Sequence, residues 1–283
     1  MNTASILING RPRQTVDVLD RGFQYGDGVF TTIAVRAGIP LFLDRHLDRL
    51  QRDCAALGMP CVGREMLLRE IEQVLANRGE GVLKIQLTRG VGGRGYRPPA
   101  SVASTRVLAL HPSVSYPASH EQDGVVVRFC STRLSINPCL AGIKHMNRLE
   151  QILARSEWGD SDYAEGLMFD QDDHLVEGTM SNVFLVRGGR LLTPVLDRCG
   201  IQGVMRSILI EAARGLGFEV SECRLTAKEL EMADEVFLSN SVIGLWPVRR
   251  IEGRAYEIGS ITRRMREWLK TSTQQAISAG FPG

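Results

Sequence analysis

The segment AGIKHMNRLEQIL, residues 141–153, places a lysine at an apolar turn just ahead of a helix-like pattern. Lys144 has no charged neighbour on its N-terminal side for ten residues. The chain holds 30 Arg and 4 Lys, at positions 84, 144, 228 and 270. Where Arg serves nearly every basic need, a Lys beside an apolar segment raises a chemical question. Arg stays protonated, whereas a desolvated Lys can lose its proton and become an amine nucleophile. Such an amine forms a Schiff base with a carbonyl compound. Taken alone, Lys144 also fits a surface residue at a helix start.

The bulk numbers describe an ordinary globular protein. The chain has 283 residues, 43% hydrophobic and 23% charged, with a formal net charge of +2. That length suits two modest domains or one large one. So small a charge, with no block of five or six like charges, argues against a nucleic-acid or membrane partner. The start MNTASILING has neither a basic region nor a long apolar run, so no secretory signal is expected and the cytoplasm is. The six Cys form no CxxC pair and read as reduced core residues. The five His show no HxxxH or HxH spacing, so no metal is expected.

Working outward from Lys144, strands and helices alternate. Strands are expected at 5–9, 29–35, 39–43, 82–89, 105–111, 125–130, either side of 172–173, 183–187, 218–221 and 235–238. The first helix starts near Asp44, a plausible N-cap, with Leu47, Leu50, Cys54 and Leu57 as its apolar stripe. Further helices are expected at 64–77, 146–158, 204–216, 227–232 and 260–275. The stretch HPSVSYPASHEQDG, 111–124, has two prolines and little periodicity. We therefore expect an α/β (mixed α+β) chain of two lobes, each with a mixed sheet. The N-terminal domain is 1–113, the linker 114–123, and the C-terminal domain 124–283 carries Lys144. A site in the cleft between domains follows the usual preference of ligands.

Three other segments carry candidate chemistry. RGVGGRGYRPP, 89–99, is Gly-rich after a strand, but Pro98–Pro99 forbids the helix that a phosphate loop needs. It is either a surface loop or a site loop whose Arg94 and Arg97 meet carboxylates by forked hydrogen bonds. EGTMSNVFLV, 177–186, sets Glu177 before a small polar turn and a strand. CGIQGVMRSILI, 199–210, puts Gly-rich backbone before an apolar helix, where free amides suit an anion. Arg49, on the first helix, is a solvated residue or a phosphate clamp.

Each segment is weak alone; their order is specific. Lys144, then Glu177 in EGTMSN, then Gly200–Ile201, with HLDRL (46–50), DRGFQYGDGVF (20–30) and FLSNS (237–241), resembles the fold-type IV pyridoxal-phosphate family across nearly the whole chain. That family is D-amino acid aminotransferase-like in fold, with its cofactor in the inter-domain cleft. It includes branched-chain and D-amino acid aminotransferases and aminodeoxychorismate lyases. GGRGY (92–96) and AGIKHMNRLEQ (141–151) are most similar to the lyase branch.

The resemblance implies the following roles. Lys144 binds pyridoxal 5'-phosphate covalently and is the catalytic residue. Glu177 pairs with the ring nitrogen and keeps it protonated. Arg49 binds the phosphate, joined by the backbone amides of Ile201 and Gln202. Ser241 takes a hydroxyl-bearing place near that phosphate. Asn240 is counted with it among the cofactor-binding residues, the Asn240–Ser241 pair standing where the aminotransferases have Gly-Thr. Tyr25, Arg94, Tyr96 and Arg97 are the substrate-side candidates. The implied reaction converts 4-amino-4-deoxychorismate to 4-aminobenzoate and pyruvate, in folate synthesis, with a homodimer as the expected assembly. The alternative is an aminotransferase on the same fold.

Overall fold

The computed structural model describes residues 5–76, 79–159 and 163–281. By contacts the chain forms two units: Met1–Ser115 with Ile143–Asn147 and Thr273–Gly283, and Tyr116–Gly142 with Arg148–Ser272.

Unit 1 contains β1 (Ser5–Ile8), β2 (Arg11–Pro12), α1 (Arg21–Tyr25), β3 (Gly28–Arg36), β4 (Ile39–Pro40), α2 (Leu43–Ala56), α3 (Arg64–Leu75), β5 (Gly81–Thr88) and β6 (Thr105–His111). Its six-stranded sheet runs β2-β1-β6-β5-β3-β4. Every pairing in it is antiparallel, where a mixed sheet was expected. Hairpin turns such as Ala37–Gly38 make that the short route between strands; parallel neighbours need a long crossover. In β3 the alternation sends Val29, Thr31 and Ile33 inward and leaves Phe30 and Thr32 half-buried. Ile33, Leu47, Leu50, Ile71, Leu83 and Ile85 build one core. Each such side chain contributes roughly 1.5–3 kcal/mol on burial.

Several expected boundaries move. The strand at 39–43 shortens to two residues, since Pro40 has no N–H to extend the ladder. Phe42 then adopts φ +54 and α2 starts at Leu43 without a side-chain cap, so Asp44 lies in the first turn and is not the N-cap. The helix at 64–77 ends at Leu75; Asn77 lies outside the described residues.

The helix expected at 146–158 is shorter, and the reason matters for Lys144. Residues 143–147 run extended beside β3: Phe30 N–H donates to Lys144 O at 3.0 Å and Met146 N–H to Gly28 O at 2.9 Å. This pairing delays the helix to Leu149–Arg155. It also groups Lys144 with unit 1, whereas the sequence reading assigned it to the C-terminal domain.

Unit 2 contains α4 (Ala118–Gln122), β7 (Val125–Leu134), α5 (Leu149–Arg155), β8 (Glu165–Asp170), β9 (Leu175–Gly178), β10 (Asn182–Arg187), β11 (Arg190–Pro194), α6 (Val204–Gly215), β12 (Val220–Cys223), α7 (Ala227–Glu231), β13 (Glu235–Asn240), β14 (Gly244–Ile251), β15 (Arg254–Ala255) and α8 (Ser260–Ala279). Its sheet runs β12-β11-β10-β13-β14-β7-β8-β9, with β15 on β14, and mixes parallel and antiparallel pairs. Leu167, Val183, Leu185, Val236, Leu238 and Trp246 form its core. The helix α4 occupies the expected 114–123 linker, and β14 was not anticipated. No described helix is long and apolar enough to cross a membrane.

Candidate active site

In unit 1 the site is built on α2 and β3. His46, Arg49 and Asp53 fall at helical spacing and are all buried beside the apolar stripe. Arg49 is 6% exposed, so it is not a solvated arginine. Its Nη2 donates to Thr31 Oγ1 at 2.5 Å, and Thr31 Oγ1 lies 2.6 Å from His46 Nδ1. Arg can only donate, so the hydroxyl accepts from Arg49 and gives its own proton to His46 Nδ1. His46 is therefore the neutral Nε2–H tautomer. Burial, with Arg49 and Lys144 nearby, holds its pKa well below the usual value. Burial likewise pulls Arg49 down to about 10, against the opposing pull of Asp53.

Two buried atoms in this cluster, Arg49 Nε and His46 Nε2, have no hydrogen-bond partner among the described residues. A buried guanidinium with an open donor calls for an anion, because an unpaired buried charge is costly. The phosphate of the expected cofactor fits that demand.

Lys144 is held by its backbone. Asp53 Oδ2 accepts its N–H at 3.0 Å, and its carbonyl accepts from Phe30. Its Nζ stands 4.5 Å from the centre of the Phe30 ring. The main chain at Lys144 is thus fixed at both polar groups.

The loop after β5 is fastened to α1. Tyr25 OH accepts from Gly95 N–H at 3.2 Å, and the Tyr25 and Tyr96 rings meet edge-on at 5.6 Å. Arg94, Tyr96 and Arg97 are exposed, Tyr96 at 85%.

In unit 2, Glu177 on β9 is 3% exposed. Its Oε2 accepts from Ile201 N–H at 2.8 Å and its Oε1 from Gln151 Nε2 at 3.4 Å. Both donors favour the carboxylate form, the form that can pair with a protonated ring nitrogen. Gly200 permits this approach: at φ +83, a Cβ there would lie 2.6 Å from Val176 Cγ1.

In this structure the amide of Ile201 donates to Glu177 and that of Gln202 to Gly142 O at 3.1 Å. The helix begins three residues later, at Val204, and its first internal bond is Ser207 N–H to Gly203 O. The amides of Val204, Met205 and Arg206, in the first turn of α6, have no acceptor within the helix.

Asn240 is a scaffold residue. Its Oδ1 accepts from Val242 and Ile243 N–H at 2.8 and 2.9 Å, and its Nδ2 donates to Met180 O at 3.0 Å. Ser241 follows in that turn and is half-buried. Glu165, unnoticed in the sequence, is fully enclosed by the turn after Glu177. It accepts from Thr179, Met180 and Ser181 and so fixes the turn that follows the site acid. Among the described residues no cluster of three or more His, Cys, Asp or Glu suits a metal ion.

Residues 28–251 match the family described as amino-transferase class IV. The chain belongs to the class-IV aminotransferase family. Within this family it is 35% identical to the aminodeoxychorismate lyase of Vibrio harveyi, over 93% of this chain and 99% of that one. Among solved structures it is similar to 4-amino-4-deoxychorismate lyase from Pseudomonas aeruginosa, with TM-score 0.91 and 46% identity over 94% of this chain and 98% of that one. The branched-chain amino acid aminotransferase from Escherichia coli is a more distant class-IV relative, with TM-score 0.82 and 26% identity over 93% and 91% of the two chains.

Proposed function

We propose that this class-IV protein is a pyridoxal-phosphate-dependent lyase that converts 4-amino-4-deoxychorismate to 4-aminobenzoate and pyruvate, a step of folate synthesis. The observation that carries this reading is the gap between 46% identity to a lyase and 26% to an aminotransferase over similar coverage.

The residues fit the cofactor, and unit 1 supplies Lys144 for the covalent bond and Arg49 for the phosphate. Unit 2 supplies Glu177 for the ring nitrogen and the first amides of α6 for a phosphate oxygen. When bound, pyridoxal phosphate supplies an electron-accepting ring that disperses negative charge from the carbon bearing the substrate nitrogen. Glu177, as carboxylate, holds the proton on the ring nitrogen. With the cofactor bound, Lys144 Nζ would take the proton from the ring carbon bearing the substrate amine. The enolpyruvyl C–O bond breaks on the adjacent carbon, and the departing oxygen carries the electron pair away. Lys144 would give that proton to the methylene carbon of the departing enolpyruvyl group, which leaves as pyruvate, and the substrate ring becomes aromatic. No oxo-acid acceptor is consumed. Tyr25, Arg94 and Tyr96 are proposed to meet the substrate, with Arg97 beyond them in the loop.

The test is direct. Purified protein with pyridoxal phosphate is given aminodeoxychorismate and no oxo acid. Release of 4-aminobenzoate and pyruvate in equal amounts is expected. Turnover that strictly requires an oxo acid makes the protein an aminotransferase instead. We also propose a cytoplasmic homodimer. The apolar Leu149, Ile152 and Leu153 share one exposed face of α5, which supports self-association. Light scattering on the purified protein measures the mass.

A further inference from the structure

We propose that Arg21 is the positioning residue of the 92–97 loop. From beneath, its guanidinium holds the Gly95 and Tyr96 carbonyls and so sets where Arg94 and Tyr96 meet the substrate. The substrate half of this statement rests on the lyase reading; the clamp itself does not.

Arg21 is 3% exposed although the loop it holds is open to solvent. Its Nη1 donates to Gly95 O at 3.0 Å and its Nη2 to Tyr96 O at 3.1 Å. Its Nε donates to Asp27 Oδ2 at 2.8 Å. Three directions from one planar group suit Arg and not Lys, which is a point charge on a flexible stem. The acceptors on the loop are backbone carbonyls, so the clamp leaves the Arg94 and Tyr96 side chains unengaged by it.

The anchor behind Arg21 is itself braced. Asp27 Oδ2 also accepts from Arg89 Nε at 2.8 Å, and the other Arg89 nitrogens donate to Leu57 and Gly58 carbonyls at 2.9 and 2.8 Å. Burial works to raise the Asp27 pKa, but Arg89 and Arg21 outweigh it and keep the carboxyl ionised. One carboxylate thereby ties the loop to the turn that ends α2, the helix of Arg49. From above, Tyr25 accepts the Gly95 N–H, so the backbone is held at adjoining groups.

Gly92 completes the fit. A Cβ at Gly92 would lie 2.7 Å from Arg21 Cδ, whereas one at Gly93 would meet nothing within 4 Å. The two neighbouring glycines therefore provide a test and its control.

The experiment uses the cofactor-loaded enzyme and the variants Arg21→Lys, Gly92→Ala and Gly93→Ala. Trypsin can cut after Arg94, while Pro98 protects the bond after Arg97. Scission after Arg94, followed by mass spectrometry, should be about tenfold faster in R21K and G92A, as expected for losing one charge-assisted hydrogen bond. G93A should match the wild type. KM for aminodeoxychorismate should rise about tenfold in the same two variants, with kcat within about twofold, the mark of lost uniform binding. If R21K fails to fold, G92A against G93A decides. Equal cutting in G92A and G93A overturns the clamp. Faster cutting with an unmoved KM overturns its role toward substrate. A wild-type enzyme inactive on aminodeoxychorismate defeats the lyase reading, while the trypsin comparison still judges the clamp.

Discussion

Asp53 Oδ2 accepts the backbone N–H of Lys144 at 3.0 Å, across 91 residues of sequence. Asp53 is 1% exposed and shares its other oxygen with Arg52 at 2.9 Å. This buried carboxylate thus fixes the main chain from which the Lys144 side chain projects. Asp53→Ala leaves a buried N–H without an acceptor and should lower stability by about 1.5–3 kcal/mol. Asp53→Asn keeps an acceptor and should lose less. Urea titrations of both variants check this; equal losses would contradict the hydrogen-bond account.

Lys144→Ala removes the amine and leaves its backbone contacts in place. Turnover should fall by about 10³-fold or more, with the visible absorbance of the bound cofactor lost. Stability should change little, since Nζ sits beside Phe30 at a half-buried position. Lys144→Arg should be equally inactive, because a guanidinium does not give up its proton. Absorbance spectra and thermal melts read both outcomes, and an active K144R refutes the proton role.

Arg49→Met tests the anion site. Losing a buried charge partner typically weakens binding by about 2–5 kcal/mol. Pyridoxal phosphate should therefore raise the melting temperature of the wild type far more than that of the variant, by mass action. Inorganic phosphate should give a smaller effect of the same sign. Identical cofactor-induced shifts in both proteins would remove Arg49 from the phosphate site.

His46 predicts a pH dependence. Its pKa is depressed by burial and by neighbouring cations in the folded protein. Below the ordinary histidine value of about 6.5, the unfolded chain takes up a proton that the folded one refuses. Stability is therefore fully present above about pH 6.5 and falls as pH drops below it, with a slope of up to about 1.4 kcal/mol per pH unit for this one group. His46→Gln, which keeps a side-chain acceptor for the Thr31 hydroxyl, should flatten that slope. Denaturant titrations at several pH values measure it, and parallel curves for the two proteins would rule His46 out.

The division between what was and was not legible follows the range of the interactions. Lys144, Glu177 and Arg49 stood out because their neighbours form short runs with recognisable order. The strand at 105–111 and the helix beginning at 204 were read from local periodicity and appear there. His46 and Asp53 were missed, although HxxRxxxD on one helix already spaces three polar residues onto one face. Nothing local says that such a face is buried. Thr31 and Arg21 gave no signal, since their roles depend on partners 15 to 75 positions away.

The sequence by itself determined the chemistry available: one lysine in an arginine-rich chain, one acid before a polar turn, and a family pattern around both. Local periodicity carries that much because side chains a few positions apart share a face whatever the rest of the chain does. The tertiary structure decided that the Ile201 amide meets the Glu177 carboxylate and the Gln202 amide meets Gly142 O. It also kept residues 146–148 out of the expected helix, because β3 offered Gly28 and Phe30 as hydrogen-bonding partners to residues 144 and 146. Pairings of that kind join positions more than a hundred residues apart, and no local pattern encodes them.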